Sequence, residues 1–396
     1  MRPYQPKKIA ILGSTGSIGR QALEVIRSHP EAFSVDILSA HNNADLLIEQ
    51  AGYFCPATVV IGNPQHHHKI QHALSDKPIQ VVSGNEKLEE VVAASDSDTL
   101  LMAMVGISGL QAIASAIQCN KNIAIANKEM LVSAGHILIP MARRQGVHMI
   151  PVDSEHSAIF QCLRGEQYDT IEKIWLTASG GPFRGMSQQQ LSSVSKKEAL
   201  NHPNWSMGEK VTIDSATMMN KGLEMIVAGW LFNLSAGQID IITHPQSIVH
   251  SMVQFVDGSI KAQLGFPDMK FPIQYAMAYP DRIPAASPPI EPENLSRLDF
   301  DKTDMHGHQC LKIALHAMKA GKDRPCVMNA ANEAAVTAFL NDQIRFVQIP
   351  EVIEESMKQI PEKELSGLED VAESHQKTLN VANTIIKTIV HDERSL

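Results

Sequence analysis

The chain has 396 residues, 44% hydrophobic and 19% charged, with a net charge of −9. That is an ordinary globular composition with room for two or three domains and large cores. The acidic balance argues against a nucleic-acid partner, and the lack of any apolar run near ~20 residues argues against a membrane span.

Five cysteines (Cys55, Cys119, Cys162, Cys310, Cys326) show no C-x-x-C pairing. That suits a reducing cytoplasm better than a disulfide framework. Met1 to Lys8 reads as neither a signal peptide nor a transit segment.

Lys8 to Leu12 is a short apolar run that predicts a buried strand. Gly13-Ser-Thr-Gly-Ser-Ile-Gly19 follows, then a helical stretch from Arg20 to Arg27. Strand, glycine turn and helix are the context of a dinucleotide site, although the spacing is G-x-x-G-x-x-G. The second strand is predicted at Ser34 to Ser39 and ends on Ala40-His41-Asn42-Asn43. No acid stands at its end to bind a ribose 2′-hydroxyl, and Asp36 lies inside the strand, so NADP is favoured over NAD. Asn42 can donate a hydrogen bond there, and His41 can carry partial charge.

Strands at Thr58 to Ile61, Ile79 to Ser83, Thr99 to Val105 and Asn122 to Ala126 alternate with helical stretches. This predicts a Rossmann-like, doubly wound α/β domain over 1–150. His66-His67-His68 reads as a solvated loop. Gly106 to Gly109, Asn127 to Glu129, and Asp153 with Glu155 fall at strand ends, where such folds bind ligands. In Pro151-Val-Asp-Ser-Glu-His-Ser157 the two carboxylates stand two residues apart. An extended backbone would aim both at one point, which suits a divalent cation; a solvated acidic loop is the alternative.

From Ile171 the pattern changes. A β-rich run, Ile171 to Thr177, ends on Ala178-Ser-Gly-Gly-Pro182. A polar helix is predicted over Ser187 to Leu200. Asn201-His-Pro-Asn-Trp-Ser-Met-Gly208 reads as a lid loop that packs over a ligand, or as a loop anchored by Trp205. Asp214, Ser215 and Thr217 are candidate N-caps of a helix running to Phe232. On it Asn220, Lys221 and Glu224 are close neighbours, which alone would also suit a surface ion pair.

Strands at Ile239 to Ile242, Val249 to Val256 and Ser259 to Leu264 predict a mixed sheet able to carry a dimer contact. The expected divisions are a catalytic and dimerisation domain of α+β type over 151–277, a proline-rich linker over 278–304 and a C-terminal helical domain over 305–396. The last carries helices at Cys310 to Ala320, Met328 to Leu340, Pro350 to Met357 and Gln376 to His391.

Six motifs in register resemble the 1-deoxy-D-xylulose 5-phosphate reductoisomerase family, end to end. They are Gly13 to Gly19, Ala126-Asn-Lys-Glu129, Asp153-Ser-Glu155, Ala178 to Phe183, Asn201 to Gly208 and Met219-Asn-Lys-Gly-Leu-Glu224. The resemblance implies a homodimeric NADPH enzyme of non-mevalonate isoprenoid biosynthesis that needs Mg²⁺, Mn²⁺ or Co²⁺. It implies a retro-aldol and aldol rearrangement of the sugar phosphate, then reduction to 2-C-methyl-D-erythritol 4-phosphate.

By the same resemblance Asp153, Glu155 and Glu224 bind the metal. Ser179, Ser215, Asn220 and Lys221 hold the substrate phosphate, His202 comes in with the lid, and Lys128 and Ser154 lie near the reacting carbons. Thr15, Gly16, Ser17, Ile18, Asn127, Glu129 and Gly208 line the cofactor, with Ala40 and Asn42 at its 2′-phosphate. At Ala40-His41 the chain departs from the Gly-Lys or Gly-Arg of other members. Two other classes share the glycine turn: a plain NAD(P) dehydrogenase, which needs no three-carboxylate set, and an NADPH-binding regulator without turnover.

Overall fold

In a computed structural model, which describes residues 6–201, 207–304 and 307–394, the strand, glycine turn and helix at the start are all present. β1 (Lys7–Leu12) leads into α1 (Ser17–Ser28) and β2 (Phe33–Ala40). Then come α2 (Ala44–Phe54), β3 (Thr58–Ile61), α3 (His67–Ala73), β4 (Gln80–Ser83), α4 (Leu88–Ala94) and β5 (Thr99–Met102). α5 (Leu110–Gln118), β6 (Asn122–Ile125), α6 (Lys128–Gln145), β7 (Met149–Pro151) and α7 (Ser154–Cys162) complete this run.

The seven strands form one parallel sheet in the order β4-β3-β2-β1-β5-β6-β7. Strand order reverses between β1 and β5, so the carboxyl ends of these two strands flank the crevice where such folds take ligands. Continuous apolar runs such as Ile9-Ala-Ile-Leu12 are buried on both faces, as a covered parallel sheet requires. Two expectations change here. The third of the later strands stops at Met102 rather than Val105, and the triple-histidine stretch is a 3-10 turn (Pro64–His66) running into α3.

Next come β8 (Ile171–Ala178), α8 (Gln188–Leu191), α9 (Lys196–Ala199), α10 (Glu209–Ala216) and α11 (Met219–Phe232). The expected single helix over Ser187 to Leu200 is two one-turn helices. Each starts on its own capping box, Ser187 with Gln190 and Ser195 with Glu198. β9 (Ile239–Thr243), β10 (Val249–Phe255) and β11 (Ile260–Leu264) follow; Gly258 (φ +84) shapes the turn between the last two.

α12 (Lys270–Ala278), β12 (Asp301–Lys302), α13 (Gln309–Ala320), α14 (Arg324–Leu340), α15 (Gln348–Gln359) and α16 (Leu368–Arg394) end the described chain. The second sheet is mixed, in the order β11-β10-β8-β9-β12, with β8 and β9 parallel and the other pairs antiparallel. No described helix is long and apolar enough to cross a membrane.

The chain divides into two compact units. One comprises Met1–Met130, Leu138–Phe160 and Asp268–Ile290; the other comprises Leu131–Ile137, Gln161–Pro267 and Glu291–Leu396. The first therefore reclaims a late segment that includes α12 and the start of the stretch read as a linker. Ile273, Ala276 and Met277 of α12 lie in the same core as Ile9, Val25 and Ile150. In the second unit α14 is buried on nearly every face, including its polar residues Asn329 and Asn332.

Candidate active site

The glycine turn after β1 is fixed by close backbone approaches. Gly13 has φ +93, and a Cβ there would come 2.6 Å from the carbonyl oxygen of Ala103 in the loop after β5. A Cβ on Gly19 would come 2.3 Å from the Gly13 carbonyl oxygen, so α1 can close on the turn only without a side chain. Thr15, Gly16, Ser17 and Ile18 occupy the turn and the first residues of α1, partly or fully exposed. Gly16 is the N-cap and supplies no side-chain cap, so the first-turn N–H groups suit an anion.

Ala40 closes β2 and is buried; His41 and Asn42 follow on the surface, where Asn42 Oδ1 accepts from Asn63 Nδ2 at 3.1 Å. Asp36 lies buried within β2, its carboxyl pushed up by burial despite nearby Lys8. No carboxylate therefore stands at the end of this strand.

Asn127, Lys128 and Glu129 pass from β6 into α6. Asn127 is the N-cap and accepts from the Met130 amide at 2.8 Å. Glu129 is buried in the first turn. Lys128 Nζ lies 2.5 Å from Asp153 Oδ2, with both side chains nearly dry. His156 Nδ1 approaches Asp153 Oδ1 at 3.3 Å. Burial alone would push the Asp153 carboxyl up, but the charges of Lys128 and His156 outweigh it and hold the group well below its ordinary value. Asp153 Oδ1 takes no well-aligned hydrogen bond from any described residue, so the 3.3 Å approach is a charge contact.

Asp153 and Glu155 are not on extended backbone. Strand β7 ends at Pro151, and α7 starts at Ser154 with the Ser157 amide donating to the Asp153 carbonyl at 2.8 Å. Both carboxylates thus sit at a helix start, where the peptide dipole favours negative charge. Ser154 Oγ donates to Glu155 Oε2 at 2.5 Å.

The second unit holds the other group. Glu224 is fully buried on α11, accepting from Asn220 Nδ2 at 2.5 Å and from Lys221 Nζ at 2.6 Å. The i, i+1 and i+4 spacing places all three on adjoining faces of one helix, as expected. Ser179 follows β8, and its Oγ accepts from the Gly181 amide at 3.2 Å. Gly181 has φ +66, and a Cβ there would stand 2.9 Å from the Ser215 carbonyl oxygen, so the Ser179 loop and the end of α10 meet backbone to backbone.

Ser215 itself is a correction. It lies in the last turn of α10 rather than at a helix start, because the chain breaks at Thr217 and Met218 (φ +63) before α11 begins. Thr217 Oγ1 donates to the Asp214 carbonyl and accepts from the Met219 amide, a local side-chain alternative to continuous helix. Asp214 is no cap either. It is buried, 2.9 Å from Lys210 Nζ and 2.8 Å from Asn332 Nδ2. Gly208 is the N-cap of α10.

Within the first unit Lys128, Asp153, Ser154 and Glu155 thus come together; within the second, Asn220, Lys221 and Glu224 do, and Ser179 adjoins Ser215. His202 and Trp205, and most of the expected lid, lie outside the described residues. Sequence reasoning missed His156, whose i+3 spacing from Asp153 would have marked it once the helix was recognised. It also missed the Lys210–Asp214–Asn332 set, since no local spacing joins Asp214 to Asn332.

Comparison with known proteins agrees along the whole chain. Residues 9–135 match the family model for 1-deoxy-D-xylulose 5-phosphate reductoisomerase, 149–232 match that for its C-terminal domain, and 264–381 match a further DXP reductoisomerase C-terminal domain. The Bacteroides fragilis (strain YCH46) protein of that name is 48% identical over 386 residues, spanning 98% of this chain and 100% of its own. The solved Zymomonas mobilis reductoisomerase in complex with NADPH superposes with a TM-score of 0.91 at 38% identity, covering 96% of this chain and 99% of that one. A DOX-P reductoisomerase in complex with NADPH, fosmidomycin and magnesium gives 0.90 at 39% identity, covering 97% and 99%. With strand order, motif positions and full-length likeness in agreement, the chain belongs to the 1-deoxy-D-xylulose 5-phosphate reductoisomerase family.

Proposed function

We infer that the protein converts 1-deoxy-D-xylulose 5-phosphate to 2-C-methyl-D-erythritol 4-phosphate, using NADPH and a divalent cation, in non-mevalonate isoprenoid precursor biosynthesis. The observation that carries this is end-to-end likeness to reductoisomerases, with the six motifs retained in this sequence.

The donors suit a hard cation. Asp153 keeps a buried oxygen without a hydrogen bond, and Asp153, Glu155 and Glu224 offer only oxygen ligands. We assign these three as the ligands of one ion. When bound, the cation polarises the neighbouring ketone and hydroxyl oxygens of the sugar, and NADPH supplies the hydride.

The chain's own groups bind and orient. Lys221 and Asn220 hold the Glu224 carboxylate in place, and with Ser179 and Ser215 they serve the substrate phosphate. Gripping the phosphate away from the reacting carbons fixes their orientation. Lys128 neutralises Asp153 and, with Ser154, stands at the reacting end of the sugar. The turn at Thr15 to Ile18, with Asn127, Glu129 and Gly208, serves the dinucleotide, and Ala40 with Asn42 its 2′-phosphate. His202 and the 201–208 loop cover the substrate and exclude water. The protein acts in the cytoplasm as a homodimer; the exposed edge strand β11, with Ile260 outward, supports a contact between copies.

The test is NADPH oxidation with 1-deoxy-D-xylulose 5-phosphate, with and without Mg²⁺ or Mn²⁺. Metal-dependent turnover blocked by fosmidomycin is the expected result. Full activity in excess EDTA sinks the metal assignment, and cofactor binding without turnover favours a regulatory protein.

A further inference from the structure

One side chain between β6 and α6 is committed to the shape of a neighbouring loop. Asn127 is buried, and its Nδ2 donates to the carbonyl oxygens of Met104 at 2.5 Å and Gly106 at 2.6 Å. Its Oδ1 accepts from the Met130 amide at 2.8 Å. Both N–H donors of the amide are therefore used within the protein. The two carbonyls bracket Val105, a residue 74% exposed, above every other large hydrophobic residue described. Gly106 turns the chain back at once with φ +69, and Ser108 Oγ donates to the Val105 carbonyl at 3.4 Å.

A single exposed valine means nothing by itself. This one follows β5, one of the two strands between which strand order reverses, on the loop whose Ala103 carbonyl lies close against the glycine turn at Gly13. The end of β2 marks the adenosine side of a dinucleotide site. β5 lies on the other side of β1, on the side of the second mononucleotide.

We propose that Val105 is an apolar contact for the nicotinamide–ribose half of NADPH, and that Asn127 is the positioning residue that presents it. The Asn127 side chain acts through the Met104 and Gly106 carbonyls. The inference rests on the NADPH reading above and adds how one half of the cofactor is held.

The experiment compares calorimetric binding of NADPH and of adenosine 2′,5′-bisphosphate, the adenosine end alone, to the full-length protein. V105A removes about two methylene equivalents and raises the NADPH dissociation constant about five- to tenfold, leaving the fragment within about twofold of wild type. N127S keeps a cap for the Met130 amide but loses the two amide donors, and shows the same split. In V105A/N127S the effects do not add, because both act through one loop. If wild-type protein fails to bind NADPH, the cofactor reading falls. If V105A binds NADPH like wild type, or weakens both probes alike, or the two substitutions add, the loop inference alone is overturned.

Discussion

Asp153 and Glu224 are both nearly dry carboxylates with a lysine nitrogen within 2.6 Å, and they are built in opposite ways. Glu224 is served by its own helix, where Asn220 and Lys221 lie four and three residues before it. Asp153 is served across the fold, since Lys128 comes from the start of α6 and only His156 comes from the adjoining helix. The first arrangement needs one helix to form. The second needs β6 and β7 paired in register, Ile125 opposite Pro151, before its charges meet. A buried carboxylate can thus be assembled locally or by topology, and the two kinds should fail differently.

The largest expected effect falls on turnover. Glu224→Gln removes one negative ligand without changing shape and should lower turnover about a hundredfold or more with NADPH binding intact. Steady-state rates beside NADPH titration check this, and full activity would break the assignment of Glu224 to the metal.

The next effect is on stability and tests the contrast itself. Lys221→Met leaves Glu224 buried without its ammonium and should cost about 3 kcal/mol. Lys128→Met leaves Asp153 beside His156 and should cost less, about 1–2 kcal/mol. Urea unfolding measures both, and equal losses would erase the distinction.

A pH dependence follows for the topological carboxylate. The folded-state value of Asp153 lies below that of the unfolded chain, so its stabilisation is complete above about pH 4 and is lost as pH falls through the lowered value. Lys128→Met removes a cause of the lowering, so acid unfolding followed by circular dichroism should begin at a higher pH. An unchanged midpoint would show that His156 alone sets the shift. A loss of similar size, about 1–2 kcal/mol, is expected for Gly181→Ala, because φ is +66 and the new Cβ meets the Ser215 carbonyl. It should raise KM for the sugar phosphate more than KM for NADPH; equal changes would separate this loop from phosphate binding.

Patterns that act within one element are legible in the sequence. The apolar run at Ile9 to Leu12, the glycines after it and the Asn220–Lys221–Glu224 spacing are of this kind, and each is found as expected. What resists reading depends on competition or on distance. Pro151 to Ser157 has a β-like start and a helix-like continuation, and the helix wins from Ser154. Ser195 starts a second short helix where the polar composition suggests one long helix. Asp214 is a good cap by residue type, but Asn332 claims its carboxylate from 118 residues away. The residues of α12, buried without a break from Pro272 to Ala278, also give no sign of which core receives them.

That last point bears on how the protein is made. The first unit keeps part of its core in Ile273, Tyr275 and Met277, and Lys7 ties β1 to the carbonyls of Ala278 and Tyr279. During synthesis the sheet therefore waits, with α1 uncovered, for a segment translated more than a hundred residues after β7. A nascent chain stalled near residue 150 should bind chaperones and resist purification as a separate domain, whereas one extended past residue 290 holds every part of that core.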